Sequence, residues 1–200
     1  MKKEKRDYRE WKRRLKTASE KPAVPCAIWS GIIVFNTETT GPDPFGGHDE
    51  ILQISIIDVE GNVLLNSYVK PRWHESWPEA EAVHGITPEM VADAPSPEDI
   101  IPIVKGIFEA AKILIAYNIR FDLAFLSMWG IRPVKGQQLV DVMREFAEAY
   151  RERNDSFGPF KWYKLETAAR CCWYELKGHD SLESVRATLH VYEEICRADH

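Results

Sequence analysis

This 200-residue chain is poor in cysteine, with four in all and no C-x-x-C pair among them. Cys171 and Cys172 are adjacent, a spacing ill suited to an ordinary disulfide or a tetrahedral zinc site. Cys26, Cys171, Cys172 and Cys196 are therefore expected to be reduced and mostly buried. No apolar stretch approaches the roughly 18–20 residues a membrane span needs, and the first residues lack the apolar core of a secretory signal. The expectation is a soluble cytoplasmic protein with no membrane partner. Repeats and low-complexity tracts are also missing, and 44% hydrophobic with 28% charged side chains excludes disorder and collagen-like repetition. An overall basic excess is absent too: 26 Lys and Arg against 31 Asp and Glu give −5, which does not suit a nucleic-acid coat. Residues 1–22 reverse that sign, with ten basic and four acidic side chains.

The organisation follows from this asymmetry. Residues 1–25 read as a basic helical arm, with Tyr8, Trp11 and Leu15 as its only apolar stripe, followed by a Pro-rich linker. The arm serves equally as a solubilising helix or as a nucleic-acid contact. Residues 26–200 read as one globular body. Ile32 to Phe35 is a continuous apolar run and Ile51 to Ile57 a mainly apolar one, the mark of strands buried on both faces. Val63 to Val69, Lys112 to Tyr117 and Gln138 to Val142 complete five strands. Helical patterns are expected at 97–111, with Pro102 in its first turn, and at 121–129, 143–152 and 164–175. A final helix follows, where Leu182, Val185, Leu189, Tyr192 and Cys196 repeat at 3, 4, 3, 4 and Asp180 with Glu183 can form a capping box. Three strands in succession followed by strand–helix alternation indicate an α/β fold with a mixed sheet.

Three segments carry residues suited to chemistry. In Phe35-Asn36-Thr37-Glu38-Thr39-Thr40-Gly41 a buried strand ends with polar residues at 36 and 38, and strand alternation places both on one face. A strand fraying into a Thr-rich turn is the alternative. Asn118-Ile119-Arg120-Phe121-Asp122 ends another strand and opens a helix, where Asp122 is suited either to cap the helix or to bind a ligand. His179 precedes the last helix, and Ser184 lies just over one turn later. Taken singly, each segment has an ordinary structural explanation.

Taken together, their order and spacing resemble the DnaQ-like 3′→5′ exonucleases of the DEDDh class, in the ribonuclease H-like superfamily. The motifs of that family are D-x-E-T-T-G, N-x-x-F-D and H-x-x-x-x-D, often with H-G-I-T before the second, and this chain has His84-Gly85-Ile86-Thr87. The resemblance covers roughly residues 30–197. It implies a ribonuclease H-like fold, a central five-stranded mixed sheet flanked by helices, with an exonuclease domain over 26–200. It also implies hydrolysis by two Mg²⁺ or Mn²⁺ ions with a histidine general base. The catalytic positions are then Asn36, Glu38, Asp122, His179 and Ser184, with His179 as the base. Asn36, Glu38, Asp122 and Ser184 fall at the metal-ligand positions. Thr39, Thr40, Val83, His84, Asn118 and Phe121 would cradle the terminal nucleotide. Tyr117 stands where many relatives have His.

Two departures change the chemistry. The first family aspartate is Asn36 and the last is Ser184, so the charge offered to the cations falls from four carboxylates to two, and hard cations depend on anionic oxygen. Asp180 and Glu183 sit at the wrong helical angles to substitute. The expectation is a weak metal site and slow or absent cleavage. The partner is expected to be a single-stranded or frayed 3′ end of DNA, with RNA as runner-up and a non-catalytic binding module as the third reading. Residues 151–177 mix basic and aromatic side chains. That stretch suits nucleic acid, but aromatics in a core beneath a solvated charged face carry more weight. Oligomeric state is left open.

Overall fold

The computed structural model describes residues 31–150, 162–178 and 180–198. The basic arm and linker, Cys26 and His179 lie outside the described residues. Five strands form one mixed sheet in the order β3-β2-β1-β4-β5: β1 Ile32–Thr39, β2 Ile51–Asp58, β3 Val63–Tyr68, β4 Ile113–Ala116 and β5 Gln138–Asp141. β1, β2 and β3 pair antiparallel, whereas β4 and β5 run parallel to β1. The turn between β2 and β3 is set by Asp58, whose Oδ1 accepts from Glu60 N and Asn62 N.

Helices cover both faces, which is why β1 and β2 carry buried apolar residues on each side. One face packs Ile33, Phe35, Ile54, Ile56 and Leu114 against α3 (Pro97–Ala110) and α4 (Ile119–Met128), with Phe35 and Phe108 edge to face at 4.9 Å. The other packs Ile32, Val34, Ile113 and Ile115 against α5 (Val142–Tyr150), α6 (Leu165–Cys171) and α7 (Ser181–Ala198). A smaller cluster of Leu52, Trp77, Ile86 and Val91 seats two short helices, α1 (Pro78–His84) and α2 (Pro88–Val91).

Several details differ from the sequence reading. Helix α3 starts at Pro97 as expected, because Ser96 N and Oγ both donate to Asp99 and fix the start there, but the place of Pro102 differs. Pro102 is therefore in the second turn, at an exposed position. At the start of α7 only half of the expected capping box forms. Asp180 Oδ1 accepts from Glu183 N at 3.0 Å, while the Glu183 carboxylate turns away to accept from Tyr174 Oη and Lys177 N. Helix α6 stops at Cys171 rather than 175, and Trp173 adopts φ 60° beyond it. Of the described cysteines Cys172 is buried, Cys196 partly so and Cys171 exposed, so "mostly buried" does not hold. Between 162 and 177, Tyr163 enters the core but Trp162 and Trp173 do not. No helix among the described residues is long and apolar enough to cross a membrane.

Candidate active site

The C-terminal end of β1 carries the polar positions singled out by strand alternation. Asn36 and Glu38 do share a face: Asn36 Nδ2 donates to Glu38 Oε1 at 3.1 Å and to Ser181 Oγ at 3.3 Å. Ser181 Oγ returns a bond to the Asn36 carbonyl at 2.9 Å, and Ser181 N donates to Gln53 Oε1 at 3.3 Å. In the cross-strand register Glu38 faces Gln53 and Asn36 faces Ser55, and Gln53 Nε2 and Ser55 Oγ both donate to Asn66 Oδ1 on β3. A row of neutral polar groups thus crosses three strands beneath the start of α7, each satisfied by the next, as burial demands.

Asp122 arrives from the other side. Strand β4 ends at Ala116, level with Phe35 in the parallel register that pairs Val34 with Ile115. The next outward-pointing amide, Thr37 N–H, therefore has no strand to bond. Asp122, in the first turn of α4 and 1% exposed, takes it: its Oδ1 accepts from Thr37 N and from Thr37 Oγ1, both at 2.8 Å. Burial pushes the Asp122 carboxyl up to about 7, against the lowering pull of the Thr37 bonds. Burial also lifts Glu38, to about 8; the Asn36 bond lowers it, while neighbouring Asp122, Asp180 and Glu166 raise it. With no cation bound, Glu38 holds a proton at neutral pH.

The remaining site residues divide in two. Thr39 Oγ1 donates to the Gly41 carbonyl at 2.8 Å, and Thr40 Oγ1 donates to Asp49 and accepts from Glu50 N. A Cβ at Gly41 would fall 2.5 Å from the Asp49 carboxylate and displace it from Thr40. His84 has both ring nitrogens engaged, Nε2 with the Thr39 carbonyl and Nδ1 accepting from Ile86 N. Burial holds its pKa below the usual value, so it is a neutral ring that fixes α1 to β1. A hydrogen bond from this ring to a nucleotide would first have to break one of those. Val83 is 71% exposed, Phe121 leans on Phe125 at 5.0 Å, and Asn118 takes φ 61° with its N–H on Asp141. Ser184 is partly buried one turn beyond Ser181, and its hydroxyl has no hydrogen-bond partner among the described residues. The sequence reading overlooked Thr37, Gln53 and Ser181. Their signal was available for one of them: Gln53 and Ser55 interrupt the β2 apolar run at period 2.

The donors present do not match a pair of divalent cations. Of the four metal-ligand positions only Glu38 and the buried Asp122 are carboxylates, and Asn36 turns its NH₂ rather than its carbonyl toward Glu38. Among the described residues no three His, Cys, Asp or Glu side chains gather as a metal would require. One Mg²⁺ that keeps its waters and leans on a substrate phosphate is the most such a set suits.

This strand order, with the motif carboxylate of α4 bonded to the end of β1, can be set beside known proteins. Residues 33–192 match the family model of the RNase T exonucleases. The chain belongs to that family. Its DnaQ-like members are 3′→5′ exonucleases, hydrolases acting on phosphodiester bonds. Over 177 residues it is 33% identical to the uncharacterized exonuclease CP81 of Escherichia phage 186, covering 82% of this chain and 88% of that protein. It is 36% identical over 101 residues to the DNA polymerase III subunit epsilon of Pasteurella multocida, covering 47% of this chain and 39% of that one. The fold matches exonuclease X in complex with 5′ overhanging duplex DNA, with TM-score 0.62, 22% identity, and 84% and 92% of the two chains covered. It also matches E. coli exonuclease I in complex with a dT13 oligonucleotide, with TM-score 0.67, 21% identity, and 82% and 40% covered. The expected five-stranded, ribonuclease H-like exonuclease fold is thereby established.

Proposed function

We propose that this protein binds the 3′ end of a single-stranded or frayed nucleic acid, DNA in preference to RNA, and that Asn36 and Ser184 leave it slow or inert as a 3′→5′ exonuclease. The observation that carries this reading is the Asn36 amide, which donates to Glu38 and Ser181. At the position where the family pattern calls for an anionic oxygen, the chain presents a hydrogen-bond donor. The residues present therefore do not fit the family's two Mg²⁺ or Mn²⁺ ions, and Glu38 and Asp122 are the charged ligands left for any weakly held cation. His179 is the side chain suited to take a proton from an attacking water. Thr39, Thr40, Val83, His84, Asn118 and Phe121 are assigned to the terminal nucleotide. Thr39, Thr40 and His84 act there chiefly through backbone and shape, because their polar side-chain atoms are already bonded. The preference for DNA draws support from the DNA in the complexes of exonucleases X and I and from the relationship to a DNA polymerase subunit.

The test restores both positions, Asn36→Asp with Ser184→Asp, and supplies millimolar Mn²⁺ and 5′-labelled DNA and RNA oligonucleotides of one sequence. Stepwise loss of 3′ nucleotides by the double variant, with little or none by the unaltered chain, is the expected result. Robust turnover by the unaltered chain would overturn the impairment. An inert but folded double variant would favour a purely binding role.

A further inference from the structure

We infer that the open groove at the ends of β4 and β5 grips the sugar–phosphate backbone, and one stacked base, of the single strand leading into the cleft; this rests on the 3′-end reading above. The groove has a volume of about 480 Å³ and is lined by Asn118, Arg120, Asp141, Arg144, Glu148 and Trp162, among others. Because β1, β4 and β5 are parallel, all three point their C-terminal ends to the same edge of the sheet. The groove therefore opens beside the cleft, two strand spacings or roughly 10 Å from β1. A strand whose 3′ end lies at the end of β1 can reach it with the adjoining nucleotides.

Its chemistry suits a polyanion with flat bases. Arg120 stands in the first turn of α4, two residues before Asp122, and Arg144 stands in the first turn of α5. Both are exposed, and neither has an ion-pair partner among the described residues. Two acids share the lining, but Asp141 commits Oδ1 to Asn118 N and Met143 N, which joins the starts of α4 and α5 and spends part of its charge. Glu148 lies one turn along α5 from Arg144 without pairing to it. Trp162 leaves 47% of its surface exposed on the groove wall. The next residue anchors that wall, since Tyr117 Oη donates to the Tyr163 carbonyl at 2.8 Å. Unpaired guanidiniums beside a held, half-exposed indole supply phosphate contacts and a stacking surface together.

Fluorescence anisotropy of labelled single-stranded DNA and RNA of one sequence, titrated with the full chain in EDTA across a salt series, tests this. Charge removal by Arg120→Gln with Arg144→Gln is expected to flatten the slope of log affinity against log salt by about 1.4, at 0.7 per lost phosphate contact. Trp162→Leu is expected to weaken binding about fivefold, the lower end for one stacked base, with the slope unchanged. Equal losses on DNA and RNA mean the backbone is what is gripped; a loss on one alone assigns the groove to that polymer. If the natural chain binds oligonucleotide and the variants bind with the same slope and affinity, the groove is not the contact, and the 3′-end reading survives. Failure of the folded natural chain to bind any oligonucleotide would overturn both. Competition by polyglutamate as effective as by oligonucleotide would overturn the stacking role and point to an acidic protein instead.

Discussion

Replacing Glu38 by Gln should stabilise the protein when no cation is bound, and the size of the gain follows from the site. The Glu38 carboxyl is raised from 4.5 to about 8 on folding. A carboxyl with a raised folded-state pKa holds its proton more tightly when folded. Its stabilising contribution is therefore complete below the unfolded value, near 4.5, and is lost as pH rises toward 8. At pH 7 the unfolded chain is ionised and the folded chain is not, a penalty of about 3 kcal/mol at 1.36 kcal/mol per pKa unit. Glu38 is only partly buried, and residual solvation trims the figure to about 2 kcal/mol. Gln is close to isosteric with the protonated acid, and its carbonyl can accept the Asn36 bond, so the variant escapes the penalty. Thermal unfolding in EDTA should place Glu38→Gln about 4–8 °C above the natural chain at pH 7 for a domain of this size. The gain should shrink to under about 1 kcal/mol at pH 5, which lies only half a unit above the unfolded value of 4.5, so that little of the penalty has accrued. A variant that melts at or below the natural chain at pH 7 would refute the reasoning, because Glu38 would then be stabilised as an anion.

Thr37→Val keeps the volume of a buried residue but removes one of the two bonds to Asp122. It should cost about 1–2 kcal/mol, read as a lower urea midpoint; an unchanged midpoint would mean the hydroxyl contributes nothing. Glu50 behaves oppositely to Glu38. Burial pushes its carboxyl up, but bonds from Arg72 N, the His74 ring, Trp73 N and His74 N outweigh that and hold it below the ordinary range. Its contribution is present at neutral pH and disappears as pH falls through the folded value. Glu50→Gln should therefore lower stability at pH 7 and converge with the natural chain in an acid titration followed by circular dichroism, and parallel curves would contradict it.

The sheet and the last helix were legible because their signals are dense. Ile32 to Phe35 is apolar on both faces, Ile51 to Ile57 is mainly apolar, and α7 repeats its apolar residues over several turns. Helices α1 and α2 escaped notice for the converse reason: α1 buries no residue and α2 only Val91, so there was no stripe to read. Their position depends instead on Trp77, which is 3% exposed and donates Nε1–H to the Ile86 carbonyl at 2.7 Å. In the site, alternation correctly paired Asn36 with Glu38. Motif spacing drew attention to Ser184, whereas the hydroxyl that meets Asn36 is Ser181, one turn earlier. Spacing specifies which face of a helix approaches a strand but not which turn makes the bond. His84 was expected beside the terminal nucleotide, and its ring serves the backbone at both nitrogens, a commitment visible only once Thr39 and Ile86 are in place.

The bond between Asp122 and Thr37 joins segments 85 residues apart. It closes the gap left where β4 stops short of β1, so it acts as a brace between the sheet and α4. Remove the acceptor, and an amide and a hydroxyl are stranded in the interior whether or not any ion is ever bound. A carboxylate at 122 is thus accounted for by architecture alone. A chain that had given up hydrolysis would still be obliged to keep an acceptor there, whereas neither Asn36 nor Ser184 braces the sheet to α4.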